Sequence, residues 1–548
     1  MKLLVVLAVA GCTASELPPV RFANSPPITL VNDRKEVTAQ PASRMFLPNV
    51  YFFDSSVHLP IDRGLSLPRQ RRALGVAAVD EVPDSTWFTN RIGSRPLTPA
   101  EIERGPVTHD PSAHLPWAIQ STKTGGTTAG FIVKDAAGEK YILKFDYAGD
   151  PPELETGTHV ICNRLMWALG YNVAEDQILY IHRKDLTIGE GAKKKDELGA
   201  TLGLLTEKDV EELMKGVRKE DDGRIRVIAS RYIAGTPIGG FPGDGTRLDD
   251  PNDIIPHELR RDLRGMLPID AWLDAVDVTE GQFVDAYVDD HGRHYVKHYS
   301  VDFGKSLGAM GLIAHDWWRG YAYRVDWPKM LHALVTLGFS ERWWEYRDGP
   351  TTLRGVSNLF DVGSFQPRHW HPDTPGFVAF HATDRFDQFW GTALVAQFTR
   401  PLLEGAVAAG KLSEPRSARY LVDTLLARQR VLAATWFAEV NPLVHFATSA
   451  PRAVCFDDLA ISLGLAGTTR YVVSGYDFDG AKHAATVTWV AERDGHTCIP
   501  HLPVSGDHEG YTIYRIVTER ASYAGTTYVH VALQPKTGAT RIVGVWRP

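Results

Sequence analysis

The chain has 548 residues, of which 44% are hydrophobic and 23% charged, a balance typical of folded globular domains. This length exceeds one ordinary hydrophobic core, so we expect two to four domains. The formal net charge of −7 excludes a general nucleic-acid binder, whose surface would be basic.

The first twelve residues resemble a bacterial lipoprotein signal. Lys2 precedes a short apolar run, and small residues lead directly into Cys12. The run is too short to span a bilayer as a helix. We therefore expect a lipid on Cys12 and a protein held by that anchor in the bacterial cell envelope, on the periplasmic or outer-membrane face. The alternative is a frayed apolar terminus with an incidental cysteine.

Residues 13–116 are predicted to form a tether and an N-terminal extension. The part up to about residue 60 is rich in Pro, Ser and Asn and has no sustained hydrophobic period. Further along, Thr98 followed by Pro99 and Glu101 has the pattern of a helix start.

From Trp117 the pattern predicts a β-rich lobe over 117–233. Two strands are expected around a turn that ends at Gly138, and a helix is expected where apolar residues recur on one face and Gly170 follows. The expected strands are 130–134, 140–146, 178–181 and 224–233, and the expected helices are 152–170 and 206–217.

Residues 234–448 are predicted to be mostly helical, and residues 449–548 to form an all-β sandwich-like domain. The whole chain is thus predicted to be α+β, with a small β-rich lobe followed by a helical lobe. The expected helices are 257–276, 327–337, 384–408 and 415–438, the expected hairpin is 283–301, and the expected C-terminal strands are 470–474, 485–492, 511–518, 526–533 and 541–546.

A glycine-rich turn and a lysine form the first candidate site. Backbone N–H groups and hydroxyls of such a turn can approach a phosphate, and the residues concerned are Gly125, Gly126, Thr127 and Thr128. Lys144 follows on the next predicted strand between apolar neighbours, where a lysine can hold the phosphates of a nucleotide. Separately, the two features could be a hairpin turn and a surface lysine. Their order favours a phosphate site.

Asp277, Gln282 and Asp302 form the second candidate site. Five positions separate Asp277 from Gln282, as between the catalytic aspartate and the metal-binding amide of protein kinases. The twenty positions from there to Asp302, which opens an Asp-Phe-Gly tripeptide, leave room for one hairpin, so we expect all three residues at one mouth. In these roles Lys144 would hold ATP, Asp277 would orient the attacking hydroxyl, and Gln282 with Asp302 would bind Mg²⁺ or Mn²⁺.

The helix after Lys144 is expected to supply a glutamate to that lysine. Glu153 and Glu155 lie at its start, and either could reach Lys144 and contribute to the nucleotide site. Both could instead be acids that favour a helix N-terminus. His159 lies where an acid would be expected.

With these motifs, residues from about 117 to 446 resemble the atypical protein-kinase-like superfamily, in the style of HipA-like bacterial kinases. The chain is also similar to a family of uncharacterised bacterial secreted or lipid-anchored proteins with the same core. This resemblance implies a bilobal kinase-like fold. The stretches that carry the second resemblance are Asp-Ser-Thr-Trp-Phe at 84–88, Ala-Leu-Gly-Tyr-Asn-Val at 168–173 and Asp-Pro-Asn-Asp-Ile-Ile-Pro-His-Glu at 250–258.

The sequence departs from that family at the catalytic loop. The family pattern is Asn-His-x-Asp and then, after four intervening residues, Asn. It corresponds here to Asp274, Ala275, Asp277 and Gln282. Glutamine still offers a carbonyl oxygen, but its extra methylene moves that oxygen further than an octahedral Mg²⁺ site readily accepts.

Three functions therefore remain open. The first is phosphoryl or nucleotidyl transfer from ATP to a hydroxyl of an envelope protein or saccharide. The second is a catalytically inactive pseudokinase scaffold, favoured by Gln282, Ala275 and His159. The third is a glycan-binding envelope protein that uses the C-terminal β domain.

The cysteines fit an oxidising compartment. Cys455 and Cys498 both lie in the C-terminal region and could pair in a disulfide, whereas Cys162 lies in a helical apolar pattern and is expected to be a buried thiol. The spacing of the cysteines matches no zinc motif.

Overall fold

The computed structural model describes residues 17–65, 71–124, 130–196, 199–311, 313–342, 344, 353–449, 452–484, 486–521 and 523–548. Helices and strands are both abundant, which confirms the α+β class. The chain folds into two compact units. The larger comprises Thr29–Val76 and Val82–Glu439, and the smaller comprises Ala77–Glu81, Val440–Pro548 and, among described residues, 17–28.

The N-terminal part of the larger unit contains short helices. They are α1 (Pro48–Phe53), α2 (Leu59–Leu65) and α3 (Pro99–Arg104). The expected helix start at Thr98 is confirmed. The Thr98 side chain accepts a hydrogen bond from the Glu101 backbone, and the Glu101 carboxylate accepts one from the Thr98 N–H, so two otherwise unbonded N–H groups are satisfied.

The larger unit contains a seven-stranded sheet. Its strands are β1 (Trp117–Thr122), β2 (Gly130–Lys134), β3 (Lys140–Phe145), β4 (Asp176–Ile181), β5 (Leu186–Lys195), β6 (Thr201–Leu204) and β7 (Ile225–Arg231). They lie in the order β4-β7-β3-β2-β1-β5-β6, and neighbours are antiparallel except for the parallel pair β1 and β5. Successive side chains alternate between the two faces of a strand. Tyr141, Leu143 and Phe145 therefore enter one apolar cluster, while Lys144 faces the other side.

Two helices cover the two faces of this sheet, α4 (Leu154–Leu169) and α5 (Glu207–Met214). Val210 of α5 belongs to the apolar cluster on the Tyr141 side. On the opposite side, Val160 of α4 packs against Ile178 and Ile228. Lys144 and the buried face of α4 therefore share one side of the sheet.

The rest of the larger unit is mostly helical and carries one long hairpin. Its helices are α6 (Arg261–Arg264), α7 (Met266–Leu273), α8 (Trp327–Val335), α9 (Val378–His381), α10 (Arg385–Val395), α11 (Arg400–Ala409) and α12 (Pro415–Trp436). Its strands are β8 (Thr236–Pro237), β9 (Phe283–Asp290), β10 (Arg293–Ser300), β11 (Ala309–Met310) and β12 (Ile313–Ala314). The predicted hairpin is confirmed, since β9 and β10 pair in register from Phe283–Ser300 to Asp290–Arg293.

Two long helices predicted in this region are wrong, because each is interrupted. The segment 257–276 is broken at Arg260, which adopts an extended conformation and forms a β-bridge with Leu74. The segment 384–408 is broken at Thr399, where the backbone is again extended, and Pro401 lies in the first turn of the next helix. In the first case a tertiary contact overrides the helical pattern. In the second, the Thr-Arg-Pro sequence already carries the signal.

The smaller unit is built mainly from two sheets. Its strands are β13 (Leu443–Ser449), β14 (Ala453–Asp458), β15 (Arg470–Tyr476), β16 (Val487–Val490), β17 (His496–Ile499), β18 (Thr512–Arg520), β19 (Tyr523–Leu533) and β20 (Thr540–Trp546), with one short helix, α13 (Leu459–Ser462). The sheets have the orders β13-β14-β17 and β16-β15-β18-β19-β20. Their inner residues form one core, in which Phe456 of the first sheet meets Tyr471 of the second edge to face.

Among the described residues, the structure contains no helix that combines the length and the hydropathy needed to cross a membrane.

Candidate functional site

Lys144 and Asp302 form the ion pair at the centre of the candidate site. The Lys144 Nζ donates to Asp302 Oδ1 at 2.6 Å. Burial alone would lower the pKa of Lys144, but the negative charges of Asp302 and Glu155 raise it. Burial likewise opposes ionisation of Asp302, yet Lys144 and His159 hold the pKa of that carboxyl well below its usual range. The two groups are therefore charged together.

The backbone at Asp302 is held in an unusual conformation. Asp302 follows the end of β10 and has φ of 62°, in the left-handed region that non-glycine residues rarely adopt. The hairpin ladder fixes this place, because the Val301 N–H donates to the Gln282 carbonyl at 2.9 Å. Such strained residues cost about 1–3 kcal/mol and cluster at functional sites.

A polar stripe on α4 faces Asp302. Glu155, His159 and Asn163 recur every four residues, which places them on one face of the helix. The His159 Nε2 bonds Asp176 at 2.8 Å, and its Nδ1 lies 3.7 Å from Asp302 Oδ1. The Asn163 amide also donates to Asp176. His159 is thus bonded to a structural carboxylate, and its other ring nitrogen lies near the site carboxylate.

Glu155 lies at the inner end of this stripe. Its Cγ is so close to the backbone of Gly304 that a Cβ at that glycine would lie 3.2 Å away. Burial is the main cause that raises the pKa of Glu155 to about 7; Lys144 opposes the rise and Asp302 supports it. Within the described part of the chain, Glu155 Oε2 is buried without a hydrogen-bond partner.

Asp277 belongs to a second polar group at the same site. Asp277 Oδ2 accepts from Gln282 Nε2 at 2.7 Å and from Lys305 Nζ at 2.5 Å. Backbone hydrogen bonds bring the two segments together, because the Val276 N–H donates to the Lys305 carbonyl and the Leu307 N–H to the Leu273 carbonyl. The arrangement holds a carboxylate beside an ammonium group.

Asp302 of the first group and the residues of the second group line one cavity. Its walls include Asp277, Gln282 and Asp302, together with Lys305 and the buried Asp270. The predicted convergence of Asp277, Gln282 and Asp302 at one place is therefore found in the structure. Burial raises the pKa of Asp270 well above its usual range.

Two lysines near the site were not predicted from the sequence. Lys123 directly follows β1, and its half-buried ammonium group is subject to the charges of Lys144, Asp302 and Glu155. Burial and then Lys144 lower the pKa of Lys123. Lys305 comes directly after the Asp-Phe-Gly tripeptide, and that position is the only signal that the sequence offers for it.

Glu153, which was predicted to belong to the site, and Asp274, which matches the asparagine of the family pattern, form contacts elsewhere. Glu153 accepts from Arg354 Nε at 2.8 Å and from the Ser413 N–H at 2.9 Å, so its carboxylate does not contact Lys144. Asp274 accepts from Trp370 Nε1 at 2.9 Å, and its other oxygen bonds His315 Nε2 at 2.7 Å. Both carboxylates join separate segments of the helical region.

The remaining predicted site residues divide into two groups. Cys455 and Cys498 are joined by a disulfide, and Cys162 is a buried thiol. Outside the described residues lie the lipidation position and the glycine-rich turn, namely Cys12, Gly125, Gly126, Thr127 and Thr128.

Taken together, the site offers ammonium groups beside carboxylates and an amide. Lys144 and Lys123 can contact an anionic group, and Asp302 with Gln282 can offer oxygen atoms to a hard cation. No protein-family model matches the chain, and no curated protein matches it.

Proposed function

We propose that this protein is a phosphotransferase of the protein-kinase-like type, which binds ATP with Mg²⁺ or Mn²⁺ and transfers a phosphoryl or nucleotidyl group to a hydroxyl. The observation that carries the proposal is the contact of Lys144 with Asp302 beside Asp277 and Gln282. A strand lysine, a catalytic carboxylate and a metal-binding pair are the parts from which phosphoryl transfer is assembled.

The donor set fits a hard divalent cation. Asp302 offers a carboxylate, and Gln282 points its amide nitrogen to Asp277, which leaves its carbonyl oxygen as the donor. Lys144 Nζ contacts Oδ1 of the same carboxylate, so a positive group and a metal-binding carboxylate lie side by side. When bound, the cation would offset the negative charge of the phosphates.

The protein groups divide the remaining work. Lys144 and Lys123 would hold phosphate oxygens as fixed positive charges. Asp277 would accept the hydrogen bond of the attacking hydroxyl and so orient it, while Lys305 holds that carboxylate in place. His159 would place its Nδ1 beside the Asp302 carboxylate, and Asp176 fixes the orientation of that imidazole through its Nε2.

We propose further that the larger unit as a whole has a kinase-like arrangement. The sheet that carries Lys144 and α4 would be the first lobe of a bilobal kinase-like fold, and the region from β8 to α12 the second. An acceptor hydroxyl on an envelope protein or saccharide, and a lipid anchor at Cys12, complete the proposal. Labelling of the expressed chain with a fatty-acid analogue, with Cys12→Ser as control, tests the anchor.

A thermal-shift titration tests the nucleotide site. A ligand that binds only the folded state raises stability by about 2.7 kcal/mol at a concentration 100 times its Kd. We expect ATP to raise the Tm only with Mg²⁺ or Mn²⁺, and Asp302→Asn to abolish that rise. Asp423→Asn is the matched control, because Asp423 is an exposed aspartate on α12. A folded wild-type protein whose Tm no nucleotide changes would refute the proposal.

The second candidate is a pseudokinase scaffold. It is favoured by Gln282, whose amide bonds Asp277 at 2.7 Å and thus occupies the carboxylate that an acceptor would need. Transfer of ³²P from the γ-position of ATP to the protein or to envelope fractions distinguishes the two. Nucleotide binding without any transfer, and with unchanged partner binding in Asp277→Asn, would favour the scaffold.

A further inference from the structure

The outward face of the sheet β13-β14-β17 carries a cluster of sulfur and imidazole groups. Cys455 of β14 lies directly opposite Cys498 of β17, and Asp457 lies directly opposite His496. Because side chains alternate along a strand, these four residues share one face. The core lies on the opposite face, with the side chains of Val454, Phe456, Thr497 and Ile499.

The imidazole of His496 is oriented by Asp457. Its Nδ1 bonds Asp457 Oδ1 at 2.6 Å, and its Nε2 lies 3.6 Å from Cys498 Sγ. A proton on Nδ1 leaves the lone pair of Nε2 directed at the sulfur. This is the arrangement in which a carboxylate fixes the tautomer of a metal-binding histidine.

A β-bulge brings a second imidazole to the same carboxylate. Val444 pairs with Asp457 and Ala447 with Cys455, so two residues of β13 lie opposite one residue of β14. At the bulge His445 has φ of 52°, and its Nδ1 bonds Asp457 Oδ2 at 2.8 Å. Bulges re-aim side chains near functional sites, and a left-handed non-glycine residue costs about 1–3 kcal/mol. A disulfide with a purely structural role requires neither feature.

We propose that reduction of the Cys455–Cys498 disulfide creates a binding site for a thiophilic metal ion such as Zn²⁺. The ligands are Cys455 Sγ, Cys498 Sγ and His496 Nε2, and Asp457 is the positioning residue. The three ligand atoms lie within 4.8 Å of one another, and metal–ligand bonds of about 2.0–2.3 Å bring such atoms to about 4 Å apart. The two sulfurs, bonded to each other in the disulfide, must move apart to that separation once the bond is reduced.

The chemistry balances with a dithiol reductant. The dithiol gives two electrons and two protons, its own sulfurs form a disulfide, and the Cys455–Cys498 bond becomes two thiols. Binding of the ion then releases both thiol protons, because thiolates are the ligands. Two thiolates, one imidazole and an open fourth position suit Zn²⁺ better than Mg²⁺ or Ca²⁺. The site is independent of the proposed nucleotide site.

The sequence alone does not predict this site. Cys455 and Cys498 are separated by 43 positions, and only strand pairing brings them into register. The spacing therefore matches none of the short zinc motifs.

A Co²⁺ titration of the full chain tests the proposal. The protein is reduced with a phosphine, desalted without oxygen, and titrated while thiolate-to-Co²⁺ charge-transfer absorption is recorded. We expect one equivalent of Co²⁺ to bind with that absorption and Zn²⁺ to displace it. The oxidised protein and the variants Cys455→Ser and Cys498→Ser should show neither effect.

The histidine and aspartate have their own readouts. Asp457→Asn should keep the charge-transfer absorption but weaken binding about 10–100-fold. His496→Gln should change the absorption spectrum, because a nitrogen ligand is lost. His508→Gln, an exposed histidine outside the cluster, is the control and should bind Co²⁺ as wild type does.

Two results would overturn the proposal. One is a reduced wild-type protein that shows no thiolate charge-transfer absorption with Co²⁺. The other is binding that is equally tight in Cys498→Ser, which would place the ion elsewhere.

Discussion

Glu155→Gln should change the pH dependence of stability in a way that isolates one buried carboxyl. Burial raises the pKa of Glu155 from 4.5 to about 7 in the folded protein, with Lys144 opposing and Asp302 supporting the rise. Below pH 4.5 the carboxyl is protonated in the folded and the unfolded state. Between pH 4.5 and 7 the unfolded state loses the proton first, so the free energy of unfolding falls as the pH rises.

The magnitude follows from that difference in pKa. A rise from 4.5 to about 7 corresponds to roughly 3 kcal/mol of stability lost between pH 4.5 and 8. Glutamine carries no charge at any of these pH values. Relative to wild type, Glu155→Gln should therefore gain about 2–3 kcal/mol between pH 5 and pH 8.

Urea unfolding of both proteins across this range, in EDTA to exclude metal ions, measures the difference. Every other titrating group is common to the two proteins, so subtraction leaves the contribution of Glu155. Glu211→Gln, on the exposed side of α5, controls for the loss of one negative charge. A difference between wild type and Glu155→Gln that stays constant within about 0.5 kcal/mol would refute the reasoning, because Lys144 would then fully offset the burial.

Three further variants should change the stability of the fold outside the candidate site. Gly170→Ala should cost about 1–3 kcal/mol in chemical denaturation, because φ is 122° and a Cβ would meet Phe88, whereas Gly64→Ala has open space around it and should cost less than 0.5 kcal/mol; equal effects would contradict this. Thr98→Ala should cost about 0.5–2 kcal/mol through loss of the capping box, and an unchanged denaturation midpoint would show that the cap does not contribute. Burial lowers the pKa of His530 from 6.5 to about 3, with Arg21 adding to the effect, so the unfolded state binds the proton first and stability is lost as the pH falls below 6.5, by up to about 1.4 kcal/mol per pH unit. His530→Phe should remove that part of the slope between pH 7 and 5, and parallel curves for the two proteins would contradict the prediction.

Many of the local elements follow from short sequence patterns. Capping pairs, terminal glycines and period-two alternation predicted α3, α4, β2 and the hairpin β9–β10, because these signals act over a few residues. The spacing of residues in the sequence also predicts which of them could lie together at one site. The five positions from Asp277 to Gln282 and the hairpin before Asp302 allow few other arrangements.

The pairing of carboxylates with lysine and arginine side chains depends on contacts between segments that are distant in sequence. Glu153 and Glu155 are two positions apart, yet one contacts Arg354 and the other lies near Lys144, because Glu153 precedes α4 in a left-handed conformation whereas Glu155 lies in the first turn of that helix. The break at Arg260 likewise depends on Leu74, which is distant in sequence. Strand register decided the cluster at Cys498. Such contacts depend on which distant segments become neighbours, and local sequence patterns do not predict this.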